Sequence, residues 1–154
     1  MSFSPRQVEG TLDARGLRFG VVCARWNPTV TDGMLESALD TLRRRGARDR
    51  DVTVVRVPGA FEVAAGVRAL IDSGRRDAIV ALAAIVRGET SHHEVLGHAV
   101  AGALASLAAQ TGVPIGFGIL TCDNMEQARG RIEKGVEAAE AAIEMASLRR
   151  ELRR

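Results

Sequence analysis

The run Ile85-Val86-Arg87-Gly88-Glu89-Thr90-Ser91-His92-His93 gathers a glycine, two hydroxyls, a carboxylate and two histidines between an apolar segment and a long helical pattern. A turn from a buried strand into a helix is expected there, with Ser91-x-x-Glu94 as its capping box. Free backbone N–H groups at a helix start attract phosphate. A histidine beside them can carry a proton near neutral pH. His92 can equally be a helix-start residue without a role, so the turn alone leaves both readings open.

A second set of residues suits a flat ligand. The chain has four phenylalanines, one tryptophan and no tyrosine. Trp26, Phe61 and Phe117 all fall on or close to the ends of apolar β-type runs, where a parallel sheet binds its ligands. An aromatic platform at one sheet edge fits a ring, and Glu62 is placed to hydrogen-bond a polar group on it. Phe61 and Phe117 can instead be core residues. Arg131 and Lys134 could supply charge to a phosphate, or could face solvent.

These residues need elements to position them. Phe19 to Ala24 is a short apolar strand. Thr29-x-x-Asp32 opens a helix with Met34, Leu35, Ala38, Leu39 and Leu42 on one face. Arg43 to Arg45 and Gly46 close it. Asp51 to Val57 is a second strand, and Pro58 to Glu62 a turn. A helix carrying Val63, Val67, Leu70 and Ile71 follows and ends near Ser73-Gly74. Ala78 to Val86 is a wholly apolar third strand. The next helix runs to about Gln110, and Pro114 to Leu120 is the fourth strand. Asp123-x-x-Glu126 starts the last helix, interrupted at Gly130 and Gly135, which runs to about Leu152. Strands alternating with helices imply an α/β fold: a flavodoxin-like three-layer αβα sandwich on a four-stranded parallel sheet. Residues 1–17 read as an arm that could extend that sheet by a strand, and 18–154 as the domain.

The third helix is apolar nearly all round. Leu96, Val100, Ala103, Leu104 and Leu107 make one face, and glycines and alanines fill the rest. Such a helix is covered on more than one side. A second subunit is the simplest cover, and an alanine-rich surface helix is the alternative.

Composition narrows the function classes. The net charge is only +2 with interspersed signs, and the arginines at 149, 150, 153 and 154 suit a solvated helix end, so no nucleic-acid partner is expected. No apolar run approaches a membrane span and no leader is visible, so no membrane partner is expected either. Cys23 and Cys122 have no metal or redox spacing and suit reduced thiols in a cytoplasmic protein.

Four motifs occur in order: Arg25-Trp26-Asn27, Pro58-Gly59-Ala60-Phe61-Glu62, Ile85 to His92, and Phe117 to Thr121 followed by Glu126-Gln127-Ala128. Together they resemble the lumazine synthase family over about Phe19 to Met145. The resemblance implies a transferase of riboflavin biosynthesis, which condenses 5-amino-6-(D-ribitylamino)uracil with 3,4-dihydroxy-2-butanone 4-phosphate. It implies no metal and no organic cofactor. By motif, Trp26 would stack on the pyrimidine, Ala60, Phe61 and Glu62 would contact the uracil and its ribityl chain, and Ala84, Ile85 and Val86 would line the ring site. Glu89, Thr90 and Arg131 would hold the phosphate, and His92 would move protons. Phe117 would come from a neighbouring subunit, so the sites would lie between subunits, and the resemblance also implies a homopentamer. Pentamers can build an icosahedral shell, and riboflavin synthase is a candidate partner. A non-catalytic flavin- or lumazine-binding module and a shell-forming protein are the other readings. Three departures stand out: Trp26 for the commoner phenylalanine, His93 where relatives usually carry an aromatic residue, and a shortened stretch from Arg131 to Lys134 that leaves Lys134 without a matched role.

Overall fold

In the computed structural model, which describes residues 2–154, strands β1 (Phe19–Ala24), β2 (Val52–Val57), β3 (Ala78–Val86) and β4 (Ile115–Cys122) form one parallel sheet in the order β2-β1-β3-β4. Helices α1 (Pro28–Arg44), α2 (Val63–Ser73), α3 (His92–Thr111), α4 (Met125–Arg129) and α5 (Lys134–Leu152) complete the chain. Residues 2–17 add no strand to this sheet.

The layers follow from strand alternation. Val21, Cys23, Val80, Leu82 and Ala84 point to one face, where Val30, Met34, Ala38 and Leu42 of α1 and Ala138, Ala142 and Ile143 of α5 cover them. Val22, Ala24, Ile79, Ala81, Ala83 and Ile85 point to the other, under Val63, Val67 and Leu70 of α2 and Val100 and Leu104 of α3. β3 is therefore apolar on both faces, as a central parallel strand must be.

Several local expectations need correction. Asn27, not Thr29, caps α1; it adopts φ 61°, and Pro28 fills the first helical position. Ser91 stands at the start of α3, but its side chain makes no cap hydrogen bond. The Thr90 hydroxyl accepts the His92 N–H instead, at 3.3 Å. The last helical segment is two helices, and Asn124 rather than Asp123 caps the first, accepting the Gln127 N–H at 2.8 Å. Gly135 does not interrupt a helix. It lies in the first turn of α5, where an added Cβ would stand 2.3 Å from the Met34 carbonyl oxygen, so glycine lets α5 close on α1. β4 continues two residues beyond Leu120 to pair Val86 with Cys122.

The segment before β1 also packs more than its polar sequence suggests. Ala14 and Leu17 are buried in the α1–α5 core, and the Thr11 N–H donates to the Ser147 hydroxyl at 2.7 Å. α3 is covered on one side only. His93, Val100 and Leu104 are buried, while Val95, Ala99, Gly102 and Ala105 are exposed. Ala103, expected on the inner face, belongs to this outer one.

Candidate active site

In a sheet of this order the topological switch lies between β1 and β3, and ligands bind beyond the strand ends there. β1 pairs with β3 only as far as Cys23 with Leu82, but β3 runs on to Val86, still paired with β4. The backbone of residues 84–86 is thus uncovered on the β1 side. Asn27 takes one of its groups: its side-chain amide donates to the Ala84 carbonyl at 2.9 Å. The left-handed conformation of Asn27, which asparagine tolerates better than most residues, turns the chain toward β3.

A cleft of about 390 Å³ opens at this point, lined by Trp26, Asn27, Ala60, Ala84, Ile85, Val86, Gly88, Thr90, His92, His93 and Leu96. Seven of the residues expected from sequence therefore meet: Trp26, Ala60, Ala84, Ile85, Val86, Thr90 and His92. Trp26 is 68% exposed, although it is the chain's largest apolar side chain. It is held from beneath. Its N–H donates to the Pro58 carbonyl at 3.0 Å, and its ring lies over Gly59, where a Cβ would stand 2.9 Å from ring carbon Cε3. The glycine of the Pro58-Gly59 motif is required by the platform above it.

Phe61 and Glu62 follow Ala60 on a 3-10 turn (Ala60–Glu62) without lining the cleft. Phe61 is 73% exposed, so it is not a core residue. One Glu62 carboxylate oxygen accepts the Gly59 N–H at 3.0 Å, which fixes the carboxylate beside the Trp26 platform and leaves its other oxygen for a ligand. Glu89 is exposed on the loop before α3. The N–H groups of Gly88, Glu89, Thr90 and Ser91 donate to no acceptor among the described residues, which is the condition for anion capture. A Cβ at Gly88 would meet nothing, so this backbone stands open to the cleft.

Phe117 and Arg131 lie elsewhere. They line a second cleft of about 650 Å³ along β4, the outer strand, together with Ile119, Leu120, Thr121, Glu133, Lys134, Val136 and Glu137. Phe117 is 41% exposed on the face that α3 leaves open, and so is not core either. Lys134, which carried no role in the sequence, joins Arg131 here and pairs with Glu137 at 3.3 Å. The break between α4 and α5 puts both cations in this cleft.

Sequence reasoning did not single out His93 and Leu96 as lining residues. Leu96 follows His92 by one helical turn, which was a usable signal. His93 is 8% exposed, its Nδ1 is buried without a hydrogen-bond partner, and its Nε2 stands 3.9 Å from a Glu94 carboxylate oxygen, too far for a hydrogen bond.

Neither thiol is placed for nucleophilic work. Burial pushes the Cys23 thiol up to about 11, and burial also raises that of Cys122 despite Arg131 nearby. Both stay protonated at neutral pH. Among the described residues no three His, Cys, Asp or Glu side chains are grouped to hold a metal ion, and no helix is long and apolar enough to cross a membrane.

A family profile described as 6,7-dimethyl-8-ribityllumazine synthase matches residues 16–150. The chain belongs to that family. Among its relatives, the 6,7-dimethyl-8-ribityllumazine synthases of Thermotoga neapolitana and Thermotoga maritima are each 45% identical over 152 residues, covering 96% of this chain and 92% of theirs. The family's fold is the α/β sandwich described above, and the match includes both clefts and all four motifs.

Proposed function

We propose that the protein makes 6,7-dimethyl-8-ribityllumazine by condensing 5-amino-6-(D-ribitylamino)uracil with 3,4-dihydroxy-2-butanone 4-phosphate, in the penultimate step of riboflavin biosynthesis. The observation that carries this reading is the meeting of an exposed tryptophan face, an open strand backbone, free loop amides and His92 in one cleft of a chain that belongs to this family.

The pyrimidine stacks on Trp26 and hydrogen-bonds the uncovered backbone of Ala84, Ile85 and Val86. Ala60 flanks it, and Phe61 and the free oxygen of Glu62, outside the cleft, meet the ribityl chain. The butanone phosphate lies against the amides of Glu89 and Thr90. The substrate amine attacks the ketone, and water leaves to give an imine. Loss of the C3 proton then expels phosphate, the enol left behind tautomerises to a new carbonyl at C3, and the second amine closes the ring on that carbonyl with loss of a second water. Each step moves a proton at nitrogen, oxygen or carbon, and His92 carries it. Positioning two substrates face to face is worth up to roughly 7–11 kcal/mol of barrier.

The phosphate also needs a cation, and Arg131 stands in the other cleft with Phe117. The site is complete when the β4 cleft of one subunit meets the Trp26 cleft of the next. A heterologous contact of this kind closes a ring when its rotation divides a full turn. A homopentamer, packed in part through the exposed small-residue face of α3, satisfies both features. The enzyme works in the cytoplasm, with residues 1–17 as an arm, and hands its product to riboflavin synthase. Incubation with both substrates tests the function: lumazine absorbance must rise with equimolar phosphate release. Ligand binding without either signal would leave a binding module only.

A further inference from the structure

The opposite end of the sheet gathers arginines. Arg18 precedes β1, Arg48 and Arg50 precede β2, and Arg76 precedes β3. These three strands are parallel neighbours, so their starts lie side by side. The four arginines line one cleft of about 490 Å³ with Asp51 and Thr53. A six-residue strand separates it from the Trp26 cleft by about 20 Å.

Two of the arginines are held in place. Arg48 donates through Nε to Asp51 at 2.9 Å. Arg76 donates through its terminal nitrogens to the Arg75 carbonyl at 2.8 Å and the Thr53 hydroxyl at 3.4 Å, while its Nε is buried without a partner. Arg18 is fixed through its backbone, which exchanges hydrogen bonds of 2.7 Å with the buried Asp77. Among the described residues the side chains of Arg18 and Arg50 pair with no carboxylate. Of the nearby acids, Asp51 is engaged by Arg48 and Asp77 by Arg75 and the Arg18 N–H, and Asp49, between Arg48 and Arg50, does not line the cleft. Four guanidinium groups thus share a cleft with one carboxylate, and an anion bound there would relieve their mutual repulsion.

The lining defines the anion. It contains no ring and no apolar side chain, so it offers nothing to a base or an acyl group. Guanidinium forks match phosphate oxygens two at a time. A concave site holding four of them fits a compact, multiply charged group better than the repeating backbone of a nucleic acid, which follows a stripe. We propose that this cleft is a second ligand site, separate from the catalytic one, for a diphosphate-class oxyanion, either free or as the terminal group of a nucleotide.

Titration calorimetry on the assembled full-length protein tests it, with sodium pyrophosphate against sodium chloride at matched ionic strength. Pyrophosphate should bind, and the doubly substituted Arg50→Ala/Arg76→Ala protein should bind it at least tenfold more weakly with lumazine formation unchanged. Arg50→Ala alone, at an exposed position, should weaken it severalfold should the double variant not fold. ADP that binds as tightly as pyrophosphate identifies a nucleotide's terminal group as a ligand, and ADP that binds not at all leaves the free anion. An identical response to chloride would overturn the proposal. So would undiminished binding by the arginine variants combined with loss in Arg131→Ala, which would put pyrophosphate in the catalytic phosphate position. Tighter binding of a duplex oligonucleotide would replace the proposal with a nucleic-acid surface.

Discussion

The two clefts at the catalytic end of the sheet are made of different materials. The one between β1 and β3 is built from backbone and held rigidly: an uncovered strand edge, a row of free amides, a tryptophan propped on Gly59. The one along β4 is lined by side chains of the outer strand and of the α4–α5 segment, Phe117, Arg131 and Lys134 among them. In the proposed reaction the first recognises shape and moves protons, and the second supplies charge and a second aromatic face. Neither holds everything the reaction needs, so the contrast points to a site shared between copies of the chain.

Substitutions should separate the two clefts kinetically. His92→Ala removes the proton carrier from the first. Turnover should fall by about 10²–10⁴-fold with little change in the dissociation constant of the ribitylaminouracil, read by single-turnover kinetics and titration. Full turnover in this variant would remove His92 from the mechanism. Arg131→Ala removes the phosphate cation from the second. A hydrogen bond to a charged group is worth roughly 1.5–3 kcal/mol, so KM for the butanone phosphate should rise about 10–100-fold while that for the uracil stays within a factor of about two. An equal rise for both substrates would mean that the clefts do not divide the work this way.

A smaller effect concerns His93. It lines the first cleft but holds a buried, unpaired Nδ1. If it serves only as packing, His93→Phe removes an unsatisfied polar atom and should be neutral to stabilising by up to about 1 kcal/mol, seen as a melting temperature raised by about 2–4 °C with kinetics unchanged. A rise in KM for the uracil, with folding intact, would make His93 part of the ring site.

Sequence made the sheet legible because its strands are marked twice, by apolar runs and by turn residues. β1 and β3 have the expected ends, since β3 is buried on both faces and cannot be misphased. The helix starts were harder. Thr29, Ser91 and Asp123 each had a capping pattern, yet α1 starts from Asn27, whose side chain makes no cap bond, and the Thr90 hydroxyl and Asn124 make the contacts at the other two starts. Many residues near a helix start can cap it, and tertiary contacts choose among them, as the Asn27 bond to Ala84 does here. The Trp26 cleft was legible because its residues sit on consecutive strand ends. The place of Lys134 was not, because a shortened stretch hides its register until the break between α4 and α5 brings it into one cleft with Arg131.

The shared site is tested most directly by mixing two damaged chains. His92→Ala subunits keep the β4 cleft intact, and subunits carrying Phe117→Ala with Arg131→Ala keep the Trp26 cleft intact. Each assembly alone should make little lumazine. Unfolded together in equal amounts and reassembled, they should form intact sites wherever the two kinds meet in the right order, about a quarter of all sites in a randomly mixed head-to-tail ring. Recovery of lumazine formation to roughly that share of the undamaged protein's rate is the result predicted. A mixed assembly no more active than the average of its parents would contradict it, and would place both clefts' work within a single chain.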